Sequence, residues 1–303
     1  MKLFNISSGP HVRAAEDATM IMWWVVIALL FPTVGGIYYF GWPAAWLVAT
    51  VTLSAVIGEM VFQWLAKRPV TIVDGSAVVT GLLLALILPP TLPLPMGVIG
   101  AIAAVVLVKG LFGGLGYNIF NPALAARAIL LASWPVAMTT WVKPFETVTT
   151  ATPLYLAKIG QATPGYWELF LGNRAGSLGE TSILLLLIGA VILFVKKIID
   201  WPAPAAYIGT VFIAAYCLGH DPLFNVLSGG LILGAFFMAT DYVTVPVTTK
   251  GRFIFGLGCG VITVLIRFYG GFPEGVNYSI LFMNMWTPFI DVHVRPRVLG
   301  CKK

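Results

Sequence analysis

From Met20 to Phe40 the chain runs 21 residues without a charged side chain. That length matches the roughly 20 apolar residues an α-helix needs to cross the hydrocarbon core of a bilayer. Comparable runs recur at about 44–66, 76–91, 95–113, 122–140, 181–199, 203–219, 225–241, 252–270 and 276–291. Ten such runs predict an all-α integral membrane protein. Barrel strands are not expected, because they alternate apolar and polar residues over about ten positions, whereas these runs are unbroken. Composition agrees: 59% of the 303 residues are hydrophobic and 10% charged, against about 25% charged in soluble domains.

The first apolar run is too long for the core of a signal peptide and no convincing cleavage site follows, so it is read as a retained first span. Orientation follows from lysine and arginine. With a cytoplasmic N-terminus, 13 of the 18 basic residues (Lys67, Arg68, Lys109, Lys196, Lys197 and Lys250 among them) fall on the cytoplasmic side. Only Lys143, Lys158 and Arg174 fall opposite. Both termini are therefore expected inside. The net charge of +6 follows this orientation pattern and points to no nucleic-acid partner. Cys217, Cys259 and Cys301 lack metal-ligand spacing, so neither a zinc site nor an Fe–S cluster is expected from this chain. Cys217 and Cys259 read as small core residues.

The chain also resembles itself. Gly81-Leu82-Leu83-Leu84-Ala85 is echoed by Gly230-Leu231-Ile232-Leu233-Gly234, and Gly113-Gly114 before Asn121 by Gly270-Gly271 before Asn277. Five spans per half give the halves opposite orientation, an inverted repeat with broken helices and a ligand or ion site near the midplane. The expected organisation is one membrane domain over 1–303. It comprises repeat one at about 20–140, an outer loop at about 141–180, repeat two at about 181–291 and a cytoplasmic tail at 292–303. Chance similarity between glycine-rich apolar segments is the alternative.

Ionisable residues in or beside spans are costly and therefore informative: Glu59, Asp74, Arg127, Asp241, Arg267 and Asp291. Glu59 is the deepest acid. It is either an ion or proton site or a buried carboxyl that only orders helices. Arg127 is expected to snorkel to the cytoplasmic interface. The glycine runs at 110–116 and 256–260 are read as close helix packing, because neither lies in a βαβ unit. The run Gly172-Asn173-Arg174-Ala175-Gly176-Ser177 before span 6 is a tight capped loop or a backbone anion site aided by Arg174. Trp134, Trp141 and Trp167 fit an aromatic belt.

The longest polar interval between spans holds Thr147-Val148-Thr149-Thr150-Ala151-Thr152, with Glu146 before it and Pro153 after it. From spacing alone, a threonine turn hydrogen-bonding its own backbone is the simplest account.

The residue order adds more. The chain resembles the family of membrane subunits that includes the D subunit of the Rnf complex and, more distantly, the B subunit of the Na⁺-pumping NADH:quinone oxidoreductase. The matching pieces are Asn118-Ile119-Phe120-Asn121-Pro122-Ala123-Leu124, Thr149-Thr150-Ala151-Thr152-Pro153-Leu154, Gly172-Asn173 with Gly176-Ser177-Leu178-Gly179-Glu180-Thr181, Phe237-Met238-Ala239-Thr240-Asp241, and Asn277-Tyr278-Ser279-Ile280 with Pro288-Phe289-Ile290-Asp291. They cover nearly the whole chain in order.

The resemblance implies FMN joined through its phosphate to the last threonine of a [Ser/Thr]-Gly-Ala-Thr motif, here Thr152, by a flavin transferase on the outer face. Thr149 and Thr150 would form the recognised run. Thr150 stands where glycine is common, and Glu146 where aspartate is common. The resemblance further implies a second, non-covalent flavin such as riboflavin and a bacterial cytoplasmic (inner) membrane location. The implied partners are Fe–S membrane subunits, a second covalent-FMN subunit, and NAD- and ferredoxin-interacting subunits. Electrons would pass between ferredoxin and NAD, coupled to Na⁺ or H⁺ movement. A flavin-free channel or secondary transporter with the same architecture is the rival reading.

Overall fold

Helices account for most of the chain, and prolines and glycines set their limits. The computed structural model describes residues 17–145, 148–272 and 274–295. Glu146, Thr147, Cys301 and the polar segment 1–16 lie outside the described residues. Among the described residues there is no strand beyond one isolated antiparallel bridge, Val142 with Thr149.

The first half carries α1 (Ala18–Phe40), α2 (Trp42–Leu65), α3 (Ser76–Ile87), α4 (Leu94–Ile102, continued as a π-helical stretch Ala103–Gly110), α5 (Pro122–Ser133) and α6 (Pro135–Thr139). Two short helices follow, α7 (Pro153–Lys158) and α8 (Tyr166–Leu171). The second half carries α9 (Ile183–Val195), α10 (Pro202–Cys217), α11 (Pro222–Leu227), α12 (Leu231–Leu233, continued as a π-helical stretch Gly234–Met238), α13 (Thr249–Tyr269) and α14 (Val276–His293).

Three helices, α1, α2 and α13, are long and apolar enough to cross a membrane. α3, α4 with its π-helical continuation, α5, α9 and α10 are shorter apolar helices. Two expected spans are broken. The fifth stops at Trp134, because Pro135 disfavours helical backbone in the residue before it. The eighth breaks at Ser228-Gly229-Gly230, where Gly229 takes a left-handed φ of +68°.

The two halves pack alike. α2 lies on α3 and α4, α10 lies on α11 and α13, and α1 crosses to α9. One buried apolar cluster runs through both halves, from Leu29, Leu47 and Leu86 to Leu233, Phe255 and Ile280. The outside is apolar too. Trp46, Leu53 and Trp64 on α2 and Phe212 and Ile213 on α10 are exposed, a surface suited to lipid.

Small residues let α10 and α13 approach closely, as the 256–260 run predicts. A Cβ on Gly256 would lie 2.3 Å from the Ala203 carbonyl oxygen. The other glycine run departs from that reading. Gly113, Gly114 and Gly116 all have positive φ and form turns after the π-helical stretch. The cysteines divide as well: Cys259 is buried, but Cys217 is exposed at the end of α10, so only the first is a core residue.

Candidate functional site

The chain preceding Thr152 is pinned to the loop after α6 by the Val142–Thr149 bridge and by the Thr150 N–H, which donates to the Trp141 carbonyl at 2.9 Å. Thr152 then starts α7. Its hydroxyl accepts from the Tyr155 N–H at 3.3 Å, and Pro153 occupies the first helical position. The simple threonine-turn account is thus present in the structure. Thr152 also lines a cavity of about 730 Å³, a volume that includes its open mouth.

Residues distant in sequence build that cavity. α5 supplies Arg127 and Leu131, α6 Met138, the 172–181 loop Arg174 and Glu180, the connection after α13 Glu274, and α14 Asn277. Thr152 and Arg174 are therefore brought together. Thr149 is exposed and does not line the cavity, whereas the Thr150 hydroxyl oxygen is buried and has no hydrogen-bond partner.

The arginines here are held by protein groups. Arg174 is 2% exposed. Its Nε donates to the Glu180 carbonyl at 3.0 Å and another guanidinium nitrogen donates to the Leu227 carbonyl. Burial lowers its pKa to about 10, so it remains a cation at neutral pH. Arg127 pairs with Glu274 at 3.3 Å. It does not snorkel to the cytoplasmic interface as expected, because the half-buried Glu274 carboxylate offers it a partner. Arg267 donates to the Asn225 and Ser228 carbonyls at 2.6 and 3.2 Å, bracing the break between α11 and α12.

The two carboxylates flank Gly230. A Cβ there would lie 2.8 Å from Glu274 Oε1 and 3.4 Å from Glu180 Oε1. Burial pushes Glu180 up to about 7, reinforced by the Glu274 charge and opposed by Arg127 and Arg174. For Glu274 burial also acts upward, but Arg127, the Gly230 N–H and Arg267 outweigh it and hold the carboxyl below its usual range. The pair is thus split between one ionised and one readily protonated acid.

Glu59 lies elsewhere, in a second polar site. It is 4% exposed and bonds Lys109 Nζ at 2.7 and 2.8 Å. Lys109 also donates to Ser76 Oγ at 2.6 Å, and Gln63 donates to Glu59 at 3.2 Å. Lys109, expected in a cytoplasmic segment, is instead buried within the π-helical stretch. A vestibule lined by Glu59, Gln63, Arg68, Thr71 and Asp74 opens beside the pair. On its other side Lys109 and Ser76 border a further cavity of about 750 Å³, including its mouth, with Thr80, Asn118, Asn121 and Asp241 in its wall.

Of the remaining residues, Trp141 lines the Thr152 cavity rather than a belt, Trp167 is 76% exposed, and Trp134 packs on the core. The sequence reading missed Glu274, a lone acid in a Phe-Pro-Glu-Gly stretch, and gave Glu180 and Asn277 no role of their own. An acid in a glycine-rich entry to an apolar span was the available signal for Glu180.

The chain is 47% identical over 322 residues to the D subunit of the proton-translocating ferredoxin:NAD(+) oxidoreductase complex of Clostridium ljungdahlii, covering 99% of this chain and 97% of that protein. It is 50% identical over 305 residues to the D subunit of the Na(+)-translocating ferredoxin:NAD(+) oxidoreductase complex of Acetobacterium woodii, covering 99% and 96%. The D subunit of the ion-translocating oxidoreductase complex of Stutzerimonas stutzeri is 40% identical over 332 residues, covering 95% and 93%. Residues 5–300 match the description "NQR2, RnfD, RnfE family", and the chain belongs to that family.

Proposed function

We propose that this chain is the membrane electron-transfer subunit of an Rnf-type ferredoxin:NAD oxidoreductase and carries FMN on Thr152. One observation carries the reading: Thr152 stands in the wall of a cavity where apolar side chains meet Arg127, Arg174, Glu180 and Glu274. The residues fit the group. Leu131, Met138, Leu154 and Phe272 offer apolar walls for a ring system. A bound flavin supplies electron transfer one or two electrons at a time. Thr152 tethers it, and the buried walls keep bulk water from it. Thr149 and Thr150 serve recognition by the flavin transferase.

The test is flavin fluorescence of the denatured polypeptide. Thr152→Val removes the only hydroxyl for the phosphoester and should abolish the signal, and Thr152→Ser should retain it. Persisting fluorescence in Thr152→Val would refute the assignment.

The finer organisation belongs to the same reading. The domain over 1–303 comprises two inverted five-helix repeats, supported by the matching packing of α2 on α4 and α10 on α13. A second, non-covalent flavin takes the cavity bordered by Asn118, Asn121 and Asp241. The Glu59–Lys109 pair is the candidate ion path, because it separates that cavity from the polar vestibule. Both termini face the cytoplasm of a bacterial inner membrane and the Thr152 loop faces outward. Fe–S, NAD-interacting and ferredoxin-interacting subunits supply the other carriers. The coupling ion is Na⁺ or H⁺, as the names of two relatives divide on this point.

A further inference from the structure

We infer that Asn277 positions the flavin ring: its side-chain amide pairs with the carbonyl and N–H edge of the isoalloxazine. This rests on the reading of Thr152 as the flavin tether. Asn277 lies in the first turn of α14, is 5% exposed, and lines the same cavity as Thr152. Both its amide nitrogen and its amide oxygen are buried without a partner. An unmet buried amide carries its full desolvation cost, so such groups are normally bonded. The local fold does not use it. Asn121, its counterpart in the Gly-Gly…Asn pattern, caps α5 and accepts from the Ala123 and Leu124 N–H groups. Asn277 sits inside its helix, past the capping position at Gly275, and has no such duty.

The neighbourhood says what kind of partner is missing. The lining arginines are already engaged, Arg174 by the Glu180 and Leu227 carbonyls and Arg127 by Glu274. With two arginines facing two glutamates, the interior suits a neutral group better than a free anion. The flavin's only strong anion, its phosphate, is placed at Thr152 by the tether. What remains for the interior is a neutral ring whose imide edge has one N–H donor between two carbonyl acceptors. A carboxamide complements that edge with one acceptor and a donor pair. Asn277 and Thr152 face one continuous space, so a group bound at one reaches the other without crossing protein.

The test uses the assembled complex with Asn277→Leu, which keeps the volume and removes both polar atoms, and Asn277→Asp, which keeps the shape and removes the donor. Fluorescence of the denatured chain should remain at wild-type level in both. In reaction-induced infrared difference spectra of the Asn277→Leu complex, a flavin carbonyl stretch should move to higher frequency as its hydrogen bond is lost. The midpoint potential of that flavin should shift with it. An unchanged carbonyl stretch and potential, with label retained, would overturn the inference and leave Asn277 satisfied by ordered water. If wild-type chain shows no flavin when denatured, the Thr152 reading itself fails, a result separate from the infrared one. Should Asn277→Leu not assemble, the Asn277→Asp spectrum decides in the same way.

Discussion

Glu180 shows how one side chain's surroundings set a measurable property. Its carboxyl is raised to about 7 from an ordinary 4.5, first by burial and then by Glu274. A raised folded pKa means that the native chain holds a proton which the unfolded chain has released. The contribution to stability is therefore fully present below about pH 4.5 and is lost as pH rises through about 7. The thermal midpoint of the detergent-solubilised chain should fall across that window, and Glu180→Gln should remove most of the fall. A wild-type midpoint flat between those limits would contradict the burial argument. The Glu59–Lys109 pair makes the complementary case. Removing one partner of a buried pair leaves an uncompensated charge and costs about 3–5 kcal/mol. Lys109→Met should therefore lower stability more than the double variant Glu59→Gln/Lys109→Met, measured by thermal unfolding of each. Equal losses would mean that the pair is not buried as the geometry has it. Sequence made Glu59 visible as an acid in an apolar run, but not its partner 50 positions away. The same limit hid the meeting of Arg127 with Glu274: a single apolar helix carries no mark of which distant turn it will face.

At the scale of elements, apolar length and proline placement were readable in advance. The starts of α2, α4, α5, α6, α7, α10 and α11 each carry proline in the first turn, where the missing N–H costs nothing. The interruptions inside spans were less legible. Trp134-Pro135 and Ser228-Gly229-Gly230 sit within apolar runs whose hydropathy hides the break, and the second places Gly229 in the wall of the Thr152 cavity. The contact of α10 with α13 supplies a direct test. A side chain on Gly256 meets the Ala203 carbonyl oxygen at 2.3 Å, whereas one on Gly209 meets nothing within 4 Å. Gly256→Leu forces the helices apart and should cost at least about 1–3 kcal/mol. Lower thermal midpoint and poorer recovery of the complex are the expected readouts. Gly209→Leu, at an open position on α10, should behave as wild type. Equal behaviour of the two variants would show that this helix pair does not pack through Gly256.

For the molecule as a whole, the decisive question is which end of the bundle faces the cytoplasm. Burial removes one cation from each side of the charge balance, Lys109 and Arg174. The rest are sorted by the fold. Lys196 lies over the Trp24 ring at 4.2 Å, joining the end of α9 to the start of α1. Arg252 pairs with Asp200, bringing the start of α13 to the same end. The Trp23 indole bonds the Val73 carbonyl, so Lys67 and Arg68 at the close of α2 belong there too. The opposite end holds the finish of α1, where Tyr39 bonds the Leu171 carbonyl and the Phe145 N–H bonds the Tyr39 carbonyl. That end carries Thr152. Basic residues thus gather at one end, the end that the proposed topology puts in the cytoplasm. In a background with Cys217, Cys259 and Cys301 replaced by serine, a cysteine at exposed Thr163 should react with an impermeant maleimide on intact cells or spheroplasts. One at exposed Lys250 should react only after the membrane is opened. The reverse pattern would put Thr152 inside the cell and remove the basis for flavin attachment from the outer face.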